Sequence, residues 1–263
     1  MKSVWDLCYS PDGLRIIVAA GIFVYVYASE GTLQKTLKGH TELVYCLDFS
    51  HDGKRFSSGS ADKNLVMLVS FAVTDFAIWS LDKPVVTKTK LPSRAMCCDW
   101  NSDGQYLAIG MQDGSISIRN QAAEEVSRLE RPGSSIIWRV KWNNLRSTRF
   151  RNSSANVLAA IDWNQKLCLF NLSGKQLVYE AGEFVTEFFL VEKPTKERGL
   201  GFNPCDISWI PSEGSDLLLV SGSNRCCMVY SQDGVRLTNL AKETSWIMCC
   251  RIRPSENLIK MPC

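Results

Sequence analysis

Two histidines in 263 residues, no CxxC spacing among eleven cysteines and no run of basic residues leave several kinds of chemistry short of parts. Two imidazoles cannot supply much of a zinc site. Three cysteine pairs are adjacent, Cys97-Cys98, Cys226-Cys227 and Cys249-Cys250. Neighbours on a strand point to opposite faces, and a bond between them would be strained. The cysteine count is odd, and neither a leader peptide nor an apolar stretch of membrane-spanning length is present. Reduced thiols in an intracellular protein, with no direct membrane insertion, are therefore expected. A net charge of +3 without a basic stripe gives nucleic acid no electrostatic support. There is no GxSxG elbow and no GxxxxGK[ST] phosphate loop, so no enzyme, cofactor or metal is expected. A helical period of 3.6 is also missing.

What remains is a globular balance, 45% hydrophobic and 22% charged, with short β-rich runs and turn residues. An Asp-Gly pair follows a β-rich run at LCYSPDG (7–13), CLDFSHDG (46–53) and CCDWNSDG (97–104), and in a different phase at VYSQDG (229–234). The first three lead into LRIIVAAG, KRFSSGS and QYLAIG, then into IFVYVY, NLVMLV and SISIRN. IIWRVKW and PCDISWIP open two further units without the Asp-Gly turn, and WIMCCRIRPSENLI opens another. In these turns Asp12, Asp52, Asp103 and Asp233 cap their own backbone, and Gly13, Gly53, Gly104 and Gly234 accept positive φ. That turn role is preferred to any reading of the four aspartates as paired catalytic carboxylates.

Spacing sets the architecture. Asp12 to Asp52 is 40 residues, the length of a four-stranded propeller blade. Asp52 to Asp103 is 51 residues, too long for one blade and roughly 30 short of two. The expected fold is all-β, a propeller of four-stranded blades, incomplete, with about five recognisable blades plus partial ones. A single domain over 1–263 is expected, with a deletion seam near 67–74, a surface loop at 143–156, and an insert at 184–199 read as an extra strand or a disordered segment. The stretch TDFAIWS (74–80) reads as the finish of a strand from a similar unit, so that a second, different repeat ends beyond the seam. Trp100, Trp142 and Trp209, at the ends of first strands, are expected to pack between neighbouring blades. An open ring leaves edges unpaired, so the chain is expected to be marginally stable or aggregation-prone.

Gly39-His40, a strand, SHDG, a second strand and SGSAD resemble the WD-repeat pattern. The resemblance implies a hydrogen-bonded network of His40, Ser58 and Asp62, truncated because the Trp of the pattern should fall near Leu68. KRFSSGSADK, DGQYLAIGMQDGSISIRN, LERPG, DWNQKLCLFNLSGKQL and DGVRL, in this order, resemble the N-terminal propeller of the intraflagellar transport protein 122 family. That resemblance covers roughly 1–66, 75–182 and 201–258. It places most of a further blade where MLVSFAV stands, and alternative splicing or an imperfect gene model is expected to account for this. It implies a non-catalytic scaffold subunit of intraflagellar transport complex A, in the cytoplasm, cilium and ciliary base. The partners implied are other complex A subunits and ciliary membrane cargo adaptors. The alternative is a WD-repeat adaptor in another cytoplasmic or nuclear complex.

Overall fold

The computed structural model describes residues 3–53, 55–69, 86–130, 135–144, 157–171, 175–180, 183–188, 196–211, 216–253 and 258–260, and every regular element among them is a strand. Five antiparallel sheets of four strands, the blades, follow one another along the chain. Blade 1 is β1 (Val4–Tyr9), β2 (Arg15–Ala20), β3 (Phe23–Ala28) and β4 (Leu33–Lys38). Blade 2 is β5 (Val44–Phe49), β6 (Arg55–Ser60), β7 (Asn64–Val69) and β8 (Val86–Lys90). Blade 3 is β9 (Ala95–Trp100), β10 (Leu107–Met111), β11 (Ile116–Arg119) and β12 (Glu125–Leu129).

Blade 4 begins with β13 (Ile137–Trp142), β14 (Val157–Asp162) and β15 (Lys166–Asn171). Next in sequence, β16 (Lys175–Glu180) and β17 (Glu183–Phe188) pair only with each other, and the edge strand of blade 4 is β18 (Lys196–Gly199). Blade 5 is β19 (Pro204–Ile210), β20 (Leu217–Gly222), β21 (Cys226–Tyr230) and β22 (Arg236–Lys242), and a hairpin of β23 (Arg251–Arg253) and β24 (Leu258–Lys260) follows it.

Within the 184–199 segment, residues 184–188 belong to a hairpin strand and 196–199 form the edge of blade 4, while 189–195 lie outside the described residues. TDFAIWS lies outside the described residues, as does 145–156 within the expected loop. Across the expected seam, β8 pairs with β7 from Leu68↔Val86 to Asn64↔Lys90. The sheet that opens at Val44 is therefore completed by a strand that follows Trp79 in sequence.

Burial explains the composition of each strand. Second strands such as β10 (LAIGM) and β14 (VLAAID) are buried along their whole length. They are near-continuous apolar runs because both sheet faces meet a neighbouring blade. Outer strands carry the charge: β22 (RLTNLAK) is mostly exposed, and β12 (EVSRL) runs from exposed Glu125 and Val126 to buried Leu129. The core consists of layers between blades. Ile17, Ala19 and Val24 of blade 1 pack on Leu47, Phe49 and Phe56 of blade 2. Ile116 and Leu129 of blade 3 pack on Trp142 and Phe170 of blade 4. Val157, Ile161 and Leu169 of blade 4 pack on Trp209 and Leu218 of blade 5. Each large side chain enclosed this way contributes about 1.5–3 kcal/mol.

First strands neighbour one another in order, β1, β5, β9, β13, β19 and β23, which gives the arc of a propeller. The ring is not closed. Leu7 and Tyr9 on β1 are 54% and 58% exposed, whereas their register equivalents on β5, β9, β13 and β19 are exposed by 0–8%.

Candidate functional site

The loop before β5 places His40 over the second strand of its own blade. Its Nε2 lies 2.9 Å from Ser58 Oγ, and its Nδ1 lies 3.1 Å from each oxygen of the Asp62 carboxylate. A carboxylate only accepts, so Nδ1 carries the proton and Nε2 accepts the Ser58 hydroxyl. Asp62 also accepts the Thr41 backbone N–H at 2.9 Å, and Ser60 Oγ donates to the Leu43 carbonyl at 2.8 Å. The loop and the turn after β6 are thereby tied together. The expected Trp position, Leu68, stands opposite Phe56 in the ladder.

The order Ser–His–Asp is that of an acyl-transfer triad, but its accessibility differs. Ser58 is 3% exposed in the middle of a sheet, and the His40 and Asp62 side chains are each 3% exposed. A nucleophile needs room for a carbonyl group within about 3 Å of its oxygen. The arrangement suits holding a loop to a sheet.

The four Asp-Gly turns share one geometry. Gly13, Gly53, Gly104 and Gly234 have φ of +71°, +67°, +68° and +73°. Each N–H donates to the carbonyl three residues back, from Ser10, Ser50, Asn101 and Ser231. Asp12 accepts the Ser10 hydroxyl at 2.5 Å and the Leu14 N–H at 3.0 Å, and these bonds hold its carboxyl below the usual range. Asp52 accepts the Ser50 hydroxyl and Asp103 the Gln105 N–H. Asp233 pairs with Lys196 of β18. Its turn joins β21 to β22, whereas the other three join first to second strands, which accounts for the different phase.

A second set of aspartates escaped the sequence reading. Asp6 accepts the Leu47 N–H at 2.9 Å, Asp48 the Trp100 N–H at 2.7 Å, Asp99 the Trp142 N–H at 2.7 Å, and Asp206 the Cys250 N–H at 3.0 Å. Each carboxylate on one first strand thus clasps the backbone of the next. The signal was an Asp recurring in WDLCY, CLDF, CCDW and PCDIS.

Blade 4 inverts this charge pattern. Lys141 pairs with Asp99, and Arg139 and Arg251 flank Asp206. Burial pushes the Asp48 carboxyl up to about 8, reinforced by Asp99 and opposed by Lys141. Burial works against the Lys141 ammonium, but Asp99 and Asp48 outweigh it and hold its pKa above the ordinary value.

Cys46, Cys97, Cys98, Cys227 and Cys250 are buried free thiols. Burial raises Cys97, which is the reverse of what a reactive thiolate requires. Trp100, Trp142 and Trp209 are 0–6% exposed between blades. Among the described residues, no three His, Cys, Asp or Glu side chains converge as a metal site, and no helix is long and apolar enough to cross a membrane.

Comparison with known proteins follows the same lines. The family model "IFT122 first beta-propeller" matches residues 64–263, and "WD domain, G-beta repeat" matches 31–67. The intraflagellar transport protein 122 homologs of Xenopus tropicalis and Mus musculus are each 37% identical over 293 aligned positions, covering 100% of this chain and 23% of theirs. The chain thus spans about a quarter of the length of these relatives. A chain in a structure titled "Crystal Structure of Mitotic Checkpoint Complex" superposes with a TM-score of 0.74 at 17% identity, covering 99% of this chain and 72% of that one. That likeness concerns the fold alone. The chain is a WD-repeat β-propeller segment and belongs to the intraflagellar transport protein 122 family.

Proposed function

We propose that this chain acts as a non-catalytic scaffold within intraflagellar transport complex A, supporting retrograde transport in cilia, cilium assembly and delivery of ciliary membrane proteins. The observation that carries this reading is identity of 37% to intraflagellar transport protein 122 homologs along the whole chain. Its partners are then other complex A subunits and ciliary membrane cargo adaptors, met in the cytoplasm, at the ciliary base and in the cilium. The polar clusters fit this role, because the buried His40–Ser58–Asp62 network and the Asp-Gly turns hold loops in place and leave the blade surfaces for partners. A pull-down from ciliated cells tests the proposal. Other complex A subunits should be recovered with the chain, and their consistent absence would sink it.

We further propose that residues 67–74 join two repeat fragments within one domain. The generic repeat model ends at 67, while the family propeller model begins at 64. The alignment with the Xenopus relative runs to 293 positions against 263 residues, so at least 30 positions oppose no residue of this chain. Transcript sequencing is the test, and one continuous exon across residues 60–80 would refute the join.

A further inference from the structure

We propose that the rim formed by the starts of the first strands is a peptide-docking site, fitted to an extended segment of a partner protein that carries acidic residues beside apolar ones. Register defines the rim. In all five blades the ladder between first and second strands skips one residue at the same place: Trp5, Tyr45, Met96, Trp138 and Cys205. Such bulges interrupt the pairing and re-aim the extra side chain. Because the first strands neighbour one another in order, the five residues stand along one end of the inner wall of the arc. Four of them are large and apolar or aromatic, and none of these four is buried.

Blade 4 carries the strongest part of this rim. Trp138 and Trp163, the latter in the turn between β14 and β15, lie with ring centroids 5.2 Å apart and planes at 58°. Trp163 is 51% exposed although blades 3 and 5 stand on either side, so its exposure belongs to blade 4 itself and not to an open end of the arc. The turn is held in place. Trp163 gives its N–H to the Ile136 carbonyl at 3.0 Å, and Leu200 gives its N–H to the Gln165 carbonyl at 2.7 Å. Two indoles fixed in this way offer contact area at little ordering cost.

Charge selects the occupant. Arg139 and Lys141 follow Trp138 along β13, and their side chains are 27% and 29% exposed, whereas those of their partners Asp206 and Asp99 are 1% and 4% exposed. Arg139 Nε makes no hydrogen bond, and Asp206 Oδ1 stands 3.7 Å from it. Asp48, pushed up to about 8 by burial, is largely protonated at neutral pH. The charge that solvent meets behind the two indoles is therefore positive. Alternate residues of an extended peptide repeat at about 7 Å, the same interval that separates Arg139 from Lys141, so two acidic side chains can meet both cations. Nucleic acid is a poorer occupant. Exposed Glu42 and Asp113 offset Arg94 in the loops around the rim and leave a phosphate backbone no continuous basic track.

Fluorescence anisotropy of the full chain tests this, with a fluorescein-labelled peptide of alternating glutamate and leucine as the probe. The expected result is saturable binding with a Kd of about 10–100 μM, weakening as salt screens the charges. Trp163→Ala, at an exposed position, should weaken binding about fivefold or more. Arg139→Gln should also weaken it and flatten the salt dependence, with far-UV circular dichroism to check its fold; Trp163→Ala decides alone if that variant unfolds. Leu237→Ala, on the exposed outer strand of blade 5, should leave binding unchanged. The site deepens the scaffold reading and rests on it, yet the two fail separately, since the pull-down reads the assembly and the titration reads the rim. No saturable binding, equal binding of a lysine–leucine peptide or of single-stranded oligothymidylate, indifference to salt, or full affinity in Trp163→Ala would each overturn the proposal.

Discussion

Asp48 of blade 2 accepts the backbone N–H of Trp100 in blade 3 at 2.7 Å while lying beside a second carboxylate, Asp99. Burial and that neighbour lift the Asp48 pKa to about 8, against about 4 in an unfolded chain. Between these values the folded protein holds a proton that the unfolded chain has released. Stability contributed by this group is therefore fully present below about pH 4 and lost progressively as pH rises toward 8. Asp48→Asn keeps an oxygen for Trp100 and removes the ionisation. Urea unfolding midpoints at pH 5, 6, 7 and 8 should decline for the wild type and less steeply for the variant, which should be the more stable at pH 8. Parallel slopes would show that Asp48 does not ionise across this range.

His40 bridges Ser58 and Asp62 where all three are nearly sealed from water. His40→Ala strips the imidazole from a buried carboxylate and should cost about 2–3 kcal/mol. Ser58→Ala removes one neutral hydrogen bond and should cost about 1 kcal/mol. In the double variant the costs should fall short of their sum, because the second change has no bond left to break. Additive losses in chemical denaturation would mean that the two side chains are not coupled.

Local chemistry was legible and distant pairing was not. The Asp-Gly turns follow from φ preferences within four residues, so Gly13, Gly53, Gly104 and Gly234 could be placed from sequence. Five blades followed from their spacing and from apolar second strands. The clasps were harder to see, because Asp6 and Leu47 are separated by a whole blade and an isolated Asp on a strand carries no mark of its partner. The edge of blade 4 was also hidden. KQLVYE is continuous with that unit and β-prone, yet KERG, 196–199, takes the place beside β15. There Glu197 pairs with Lys166 at 2.9 Å, a contact that no local pattern announces.

Turns between second and third strands offer a separate test. Blades 1 and 3 place Gly21 and Gly114 at positive φ there, whereas blades 2, 4 and 5 force Lys63, Gln165 and Arg225 to φ of 59–60°. The left-handed conformation costs a residue with a Cβ about 1–2 kcal/mol, and glycine gives back part of that in chain entropy. Lys63→Gly should therefore stabilise the protein by about 0.5 kcal/mol. Gln165→Gly should gain less, since Gln165 Nε2 donates to Asn203 at 3.0 Å. Thermal melts of both variants would show the reverse order if side-chain contacts outweigh the backbone.

Spacing between blades is set in part by residues with no side chain. A Cβ on Gly59 would lie 2.6 Å from Ala95 Cβ and 2.7 Å from Cys46 Sγ, and one on Gly110 would fall on Ile137 and Cys97 of the facing strands. Those neighbours are side chains and can shift, so Gly110→Ala should cost about 1–3 kcal/mol, the usual penalty of overpacking. Gly222 differs, because its Cβ would run into the Asn203 carbonyl oxygen and come within 2.9 Å of Pro204 Cα. Backbone in the ladder Pro204↔Gly222 cannot move without breaking the start of blade 5. Gly222→Ala should thus be the more damaging substitution, with a lower unfolding midpoint than Gly110→Ala and loss of the packing of Leu219 and Cys227 against Ile247. Protection of the Ile247 N–H, which donates to the Gly222 carbonyl at 3.2 Å, reports this directly in hydrogen exchange. Equal protection in Gly222→Ala and wild type would place the tight spacing elsewhere.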